Sequence, residues 1–250
     1  MSGHSKWSSI KHKKAARDQK RGKVFTKLIK EITIAARLGG GDMNANPRLR
    51  TAVTTAKQQS MPNDNIDRAI KKGTGELGGG QLEEVSYEGY GPAGVALIMS
   101  VLTDNRNRTV SEIRFMLSKA GGNLGESGCV AWMFHKRGVI AIEKQAADED
   151  KLIELALEAG ADDVTADDET YQVMTAPDKF TTVRAAIEAA KIPLLSAEVA
   201  LEPENSIKVT GHHAEQVLRL MEDLEDHDDV QSVAANFDID EQEMAQFSAA

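Results

Sequence analysis

Cysteine is almost absent from this chain: Cys129 is the only one in 250 residues. A single thiol excludes an intrachain disulfide and any zinc site built from several cysteines, and it fits a reducing compartment. Aromatic residues make up 4% of the sequence, so Leu, Ile, Val, Ala and Met must fill the core. No run approaches the ~18 consecutive apolar residues of a membrane-spanning helix. No apolar stretch follows the basic N-terminus, so it does not read as a secretory signal, and residues 2–23 lack the apolar face of a mitochondrial presequence. A cytoplasmic protein with no membrane partner is expected.

Catalytic signatures are missing too. Gly73–Gly78 spells G-x-G-x-x-G, but it follows a helical pattern, where a dinucleotide site must follow a strand. No glycine-rich loop ends in Gly-Lys-Ser/Thr. His4, His12, His212 and His213 lack zinc-ligand spacing. Cys129 lies in the apolar run CVAWMF and reads as core. The acidic clusters Asp162-Asp163, Asp167-Asp168-Glu169 and Glu222–Asp229 read as solvated surface, which leaves a metal-dependent hydrolase as a remote alternative. No nucleophile, base and orienting group stand together. The expectation is no catalytic residue, no metal and no cofactor.

What the sequence does contain is a segregation of charge. The formal net charge is -9. Residues 1–75 hold 17 Lys and Arg against 5 Asp and Glu, a net of +12, and residues 76–250 hold 13 against 34, a net of -21. A basic end on an acidic body points to a polyanionic partner. Between Lys6 and Lys23 the cations are Lys6, Lys11, Lys13, Lys14, Arg17, Lys20, Arg21 and Lys23, and the only acid is Asp18. His4 and His12 sit beside them as further donors. Such a segment buries little, so residues 1–23 are expected to be a mobile basic arm that adapts to phosphates. Trp7 has two readings of equal weight: stacking on a base, or anchoring the arm on the helical domain.

Residues 24–75 read as a helical domain of three helices. In the first, about Val24 to Leu38, Phe25, Leu28, Ile29, Ile32 and Ala36 share one face. Lys23, Lys27, Lys30 and Arg37 share the opposite face and extend the basic path. Asn46 caps the second helix with Pro47 in its first position. The third starts near Asn63 or Asp64 and ends in Lys71-Lys72-Gly73, with its cations at the end away from a recognition helix's reading residues. A flexible linker follows at 73–81.

The rest alternates short apolar runs with amphipathic helices. Strands are expected at 94–102 and 129–134, with a helix over 108–122 between them. Residues 138–201 run β-α-β-β-α-β, the ferredoxin-like order. The outer pieces, each β-α-β, make a second such unit. The expected fold is α+β: an N-terminal three-helix domain followed by two ferredoxin-like domains, 82–135 plus 204–238, with 136–203 inserted. Arg106 and Arg108 stand at the start of the 108–122 helix, where they oppose the helix dipole and would welcome a phosphate. The competing reading has Asp104 capping the helix and pairing with an arginine.

GHSKW at 3–7, KRGKVFTKL at 20–28, GGGD at 39–42, ANPRLR at 45–50, YEGYGPAG at 87–94, DNRNRT at 104–109 and GGNLG at 121–125 together resemble the YebC/PmpR family. The resemblance spans nearly the whole chain. It implies a helical domain with two α/β domains and a DNA-binding transcriptional regulator of the cytoplasm. The family's mitochondrial relatives are translational activators, and bacterial members have been linked to ribosomes. The partner is therefore expected to be nucleic acid, DNA or ribosomal RNA, and a monomer is favoured.

Overall fold

A computed structural model of the chain describes Trp7 and residues 21–78, 82–167 and 169–249. Two compact units emerge, one of residues 18–129 and 216–233, the other of residues 1–17, 130–215 and 234–250.

The first unit begins with three helices, α1 (Arg21–Gly39), α2 (Pro47–Gln58) and α3 (Asn63–Gly73). Their apolar faces meet in a core of Ile32, Ala35, Ala36, Leu49, Val53, Ala56, Ile66 and Ala69, flanked by Phe25, Leu28 and Ile29. The expected cap is present. Asn46 Oδ1 accepts from the Leu49 N–H at 3.1 Å, while its Nδ2 donates to the carbonyls of Ala35 and Gly40 at 2.7 and 2.9 Å. One buried amide thus closes the end of α1 and the start of α2. α1 is buried on its other side as well, where Ile34 clusters with Leu82 and Leu102. That second contact was not visible in the apolar spacing.

The sheet of this unit contains β1 (Glu83–Tyr90), β2 (Ala96–Thr103), β3 (Asn123–Leu124) and β9 (Val230–Ala235), in the order β3-β1-β2-β9. β1 pairs antiparallel with both β2 and β3. Buried on nearly every residue, β2 explains the unbroken run ALIMSVLT. Between β2 and β3 lies α4 (Arg106–Lys119), burying Ile113 and Leu117. α7 (Gly211–Glu225) precedes β9 and buries Val217, Leu218, Met221 and Leu224. The β1–β3 pair depends on glycine. A Cβ on Gly122 would lie 2.2 Å from the Tyr90 carbonyl oxygen, and one on Gly89 2.5 Å from that of Asn123. The YEGYG and GGNLG motifs therefore meet as two backbones in close contact.

The second unit contains β4 (Phe134–Glu143), α5 (Glu149–Glu158), β5 (Asp163–Ala166), β6 (Thr170–Thr175), α6 (Phe180–Ala189) and β7 (Ser196–Pro203). The element order is the expected β-α-β-β-α-β. The strands lie in the order β5-β6-β4-β7 with every pair antiparallel. Ile140, Ile142, Leu152, Ala156, Val173, Val183 and Ile187 form the core between sheet and helices. A two-residue parallel pair, β8 (Ile207–Lys208) with β10 (Phe237–Asp238), and α8 (Glu241–Ala249) complete it.

Two expectations about the outer strands are corrected. Residues 129–134 form no strand: Ala131–Met133 is a single 3-10 turn, Trp132 is 68% exposed, and only Phe134 enters a strand. The left-handed Gly128, with φ of 88°, turns the chain just before that apolar run. Cys129 is accordingly half-buried rather than core. The first strand of the outer β-α-β piece within 204–238 is only two residues long, Ile207–Lys208, and pairs with β10, outside the four-stranded sheet. Its place there is taken by β1, whose charged start, Glu83-Glu84, hides the strand in the sequence. The first sheet thus departs from the ferredoxin-like order expected of the outer pieces. The architecture is α+β, an N-terminal helical region followed by two antiparallel sheets with helices.

Candidate nucleic-acid interface

β2 ends at Thr103 and α4 begins three residues later, so Asp104 and Asn105 must turn the chain. The cap of α4 is Asn105, not Asp104: Asn105 Oδ1 accepts from the Arg108 N–H at 3.1 Å, and the Asn105 N–H donates to Thr103 Oγ1 at 2.9 Å. Behind this turn lies Asp229, 2% exposed, directly before β9. Its Oδ2 accepts from Thr109 Oγ1 at 2.6 Å and Arg108 Nη2 at 2.8 Å. Its Oδ1 accepts from Lys30 Nζ of α1. Burial pushes the Asp229 carboxyl up, but the hydrogen bonds from Lys30, Thr109 and Arg108 outweigh it and hold the group well below the ordinary carboxylate range.

His227 adjoins this cluster. Its Nδ1 accepts from the Asp229 N–H at 3.1 Å, which places the ring proton on Nε2, 2.8 Å from Glu112 Oε2. Glu112, His227 and Asp229 present ligand atoms within 4.8 Å of one another. Each of those atoms already has a hydrogen-bond partner, and Asp229 is met by two cations. The arrangement is a polar tie among α1, α4 and the turn before β9.

The basic stripe of α1 is occupied rather than open. Lys30 also donates to the Asp228 carbonyl at 2.9 Å, Lys27 donates to the Glu225 carbonyl, and Lys23 pairs with Asp226 at 3.4 Å. Arg37 donates to the Leu82 carbonyl at 3.0 Å. The cause is the second contact of α1: the side opposite its helical core faces other protein, and its cations meet the acidic 225–229 turn. For the same reason Asp229 is not the solvated acid expected of the Glu222–Asp229 cluster. Arg108 follows the pairing alternative, bound to Asp229 and also to Asp104 at 3.1 Å. Hydrogen bonding to Asp229 raises its guanidinium pKa. Arg106 is exposed and makes no hydrogen bond or ion pair with the described residues.

Trp7 is 2% exposed, and its ring centroid lies 6.1 Å from that of Phe247 on α8. Its indole is covered by protein. The ring it meets lies on α8, where the anchoring alternative named the helical domain. His4, Lys6, Lys11, His12, Lys13, Lys14, Arg17 and Lys20 lie outside the described residues, and Arg21 opens α1.

The contacts of Asp229, Thr103, Thr109 and Arg48 have no local signal in the sequence. Arg48 joins Glu31 of α1 at 2.7 Å to Glu84 of β1 at 3.0 Å. These residues come from distant parts of the chain, and no local spacing announces them. Further exposed cations without partners among the described residues are Lys57 on α2 and Arg68, Lys71 and Lys72 on α3.

Residues 5–76 match the TACO1/YebC protein N-terminal domain, and residues 82–237 match the TACO1/YebC second and third domain. The chain belongs to the TACO1/YebC family. A "Probable transcriptional regulatory protein" of Geobacter sulfurreducens is 60% identical over 98% of both chains. One of Desulforapulum autotrophicum is 57% identical over 96% of this chain and 97% of its own. A crystal structure of a conserved hypothetical protein from Aquifex aeolicus covers 90% of this chain and 93% of its own, with a TM-score of 0.80 at 47% identity. These TACO1/YebC relatives are named as regulators, and the family is non-enzymatic. No helix among the described residues is long and apolar enough to cross a membrane.

Proposed function

We propose that this TACO1/YebC protein is a nucleic-acid-binding regulator of gene expression, acting as a monomer in the cytoplasm, and that it holds DNA through its basic N-terminal segment. The observation that carries this is the segregation of charge, +12 in residues 1–75 against -21 in the remainder. In the folded part of that basic region, Lys23, Lys27, Lys30, Arg37 and Arg48 are engaged with protein groups. The cations left for phosphates are those of the segment before α1, with Lys57, Arg68, Lys71 and Lys72. The names of the relatives from Geobacter and Desulforapulum favour transcription.

One observation favours a second reading, ribosomal RNA. A major-groove reader places the N-terminal residues of its recognition helix at the bases. Here α3 carries Asp64 in its first turn and its cations at the far end. Acids at that position repel phosphates. Competition separates the two readings: labelled promoter duplex is challenged with random duplex and with ribosomes. A promoter that outcompetes random duplex by about a thousandfold supports the transcriptional reading. Equal competition by both duplexes, with ribosomes stronger than either, supports the ribosomal one.

A further inference from the structure

α4 is a basic island in an acidic body. Its 14 residues, RNRTVSEIRFMLSK, hold four of the 13 Lys and Arg found in residues 76–250, and one acid, Glu112. Glu112 is engaged by His227 at 2.8 Å and lies 4.0 Å from Arg108. The buried side of the helix is set by Thr109, Ile113 and Leu117. Opposite, Asn107, Ser111, Arg114 and Ser118 follow one another at steps of three and four residues, so they form a continuous outward stripe. Phe115 stands beside that stripe, 67% exposed, with Lys119 one turn on. All six side chains are exposed, and Arg114 and Lys119 make no hydrogen bond or ion pair with the described residues.

A single exposed apolar side chain needs no explanation. An exposed phenyl ring among two unpaired cations and three small hydrogen-bonding side chains, with no unpaired acid on the face, has the chemistry of a stacking platform for nucleic acid. We infer that the outer face of α4 is a second nucleic-acid contact and that it takes unpaired nucleotides: Phe115 stacks on a base while Arg114 and Lys119 hold the flanking phosphates. A duplex buries the faces of its bases in its own stack, so it cannot satisfy Phe115. The inference rests on the nucleic-acid reading above and narrows it to strands with exposed bases. It also gives part of the acidic body contact with the polyanion, where the net charge alone assigns contact only to the basic end.

The test is fluorescence anisotropy of the full chain with a short uridine-rich RNA, a thymidine-rich DNA strand and a duplex. The variants are F115A, F115L and the double variant R114A/K119A. A further variant has Lys6, Lys11, Lys13, Lys14, Arg17 and Lys20 changed to Gln. Because Phe115 is exposed, F115A retains the parent's melting transition. F115A and F115L should each lose roughly five- to a hundredfold in single-strand affinity, with the salt dependence intact. R114A/K119A should lower the single-strand salt slope by about 1.4. Neither change should alter duplex binding. A stronger loss on RNA than on the DNA strand identifies RNA as the source of the unpaired bases, and equal losses identify single strands of either kind. The inference is overturned if all α4 variants bind single strands like the parent while the six-Gln variant does not; the function proposed above then stands. Absence of binding by the parent overturns both. A parent that self-associates in sedimentation while F115A is monomeric shows that a second copy covers this face, and also overturns the inference.

Discussion

Lys30 on α1 and Asp229, the residue before β9, form an ion pair although 199 positions separate them in the chain. Asp229 is also held by Arg108 and Thr109 from the start of α4. One buried carboxylate therefore joins the N-terminal helix to two segments around the first sheet. A buried anion is stable only if cations and hydrogen bonds replace its water, and here the side chains of Lys30, Thr103, Arg108 and Thr109 do so. Lysines with the right spacing to bind phosphate are consequently used to hold the protein together.

D229N should destabilise this unit by about 1.5–3 kcal/mol, because the hydrogen bonds from Lys30 and Arg108 then meet a neutral acceptor. Thermal and urea unfolding measure it. A midpoint unchanged from the parent would mean that the carboxylate contributes nothing to the fold.

The same group sets an acid limit. The Asp229 carboxyl has a depressed folded pKa, so its stabilisation is complete above the unfolded value of about 3.9 and is lost as pH falls through the folded one. The unfolded state binds the extra proton, so stability falls with falling pH. The stability gap between parent and D229N should be constant from neutral pH to about pH 5 and should narrow below about pH 4. Urea titrations at several pH values check this, and a gap that grew on acidification would contradict the sign.

Gly122 is required by contact rather than by conformation, since a Cβ would meet the Tyr90 carbonyl oxygen at 2.2 Å. G122A should cost about 1–3 kcal/mol as β1 and β3 are forced apart. Gly22, with nothing within 4 Å of its Cβ, is the control. G22A should be neutral or stabilise α1 by up to about 1 kcal/mol. Comparison of melting midpoints tests the pair, and equal effects would contradict the close approach.

The two tryptophans should report separately. With W132F, emission comes from Trp7 alone and should be blue-shifted and shielded from acrylamide, because Trp7 is covered beside Phe247. F247A in that background should shift the emission to the red. A red, fully quenchable Trp7 in W132F would show that the segment is not anchored at α8.

Local signals carried much of this fold into the sequence. Asn46-Pro47 marked the start of α2, and the apolar spacing of Phe25, Leu28, Ile29 and Ile32 marked the core side of α1. The β-α-β-β-α-β order of the second sheet was readable because each strand and helix there keeps its own period. What stayed hidden was pairing across distance. β1 has a polar start and becomes a strand only because β2 and β3 flank it. The α1 lysines read as a phosphate stripe because helical spacing shows that they share a face, but not what that face meets. Asp229 looked like one solvated acid among several, since nothing near it in sequence reveals Lys30 or Arg108. The arginine pair at 106 and 108 was half legible: both sit exposed in the first turn of α4, but Arg108 is held by Asp229 and Asp104, and only Arg106 has a side chain without a partner among the described residues.

The proposed function places phosphate binding in the basic segment before α1. It is tested most directly by measuring nucleic-acid affinity across a salt series for the parent and for the variant with Lys6, Lys11, Lys13, Lys14, Arg17 and Lys20 changed to Gln, which leaves Trp7 in place. If about five of these cations meet phosphates, log K for the parent should fall with log salt more steeply by about 4 to 5 than for the variant, and the variant should lose most of its affinity at low salt. Equal slopes and equal affinities would contradict the account.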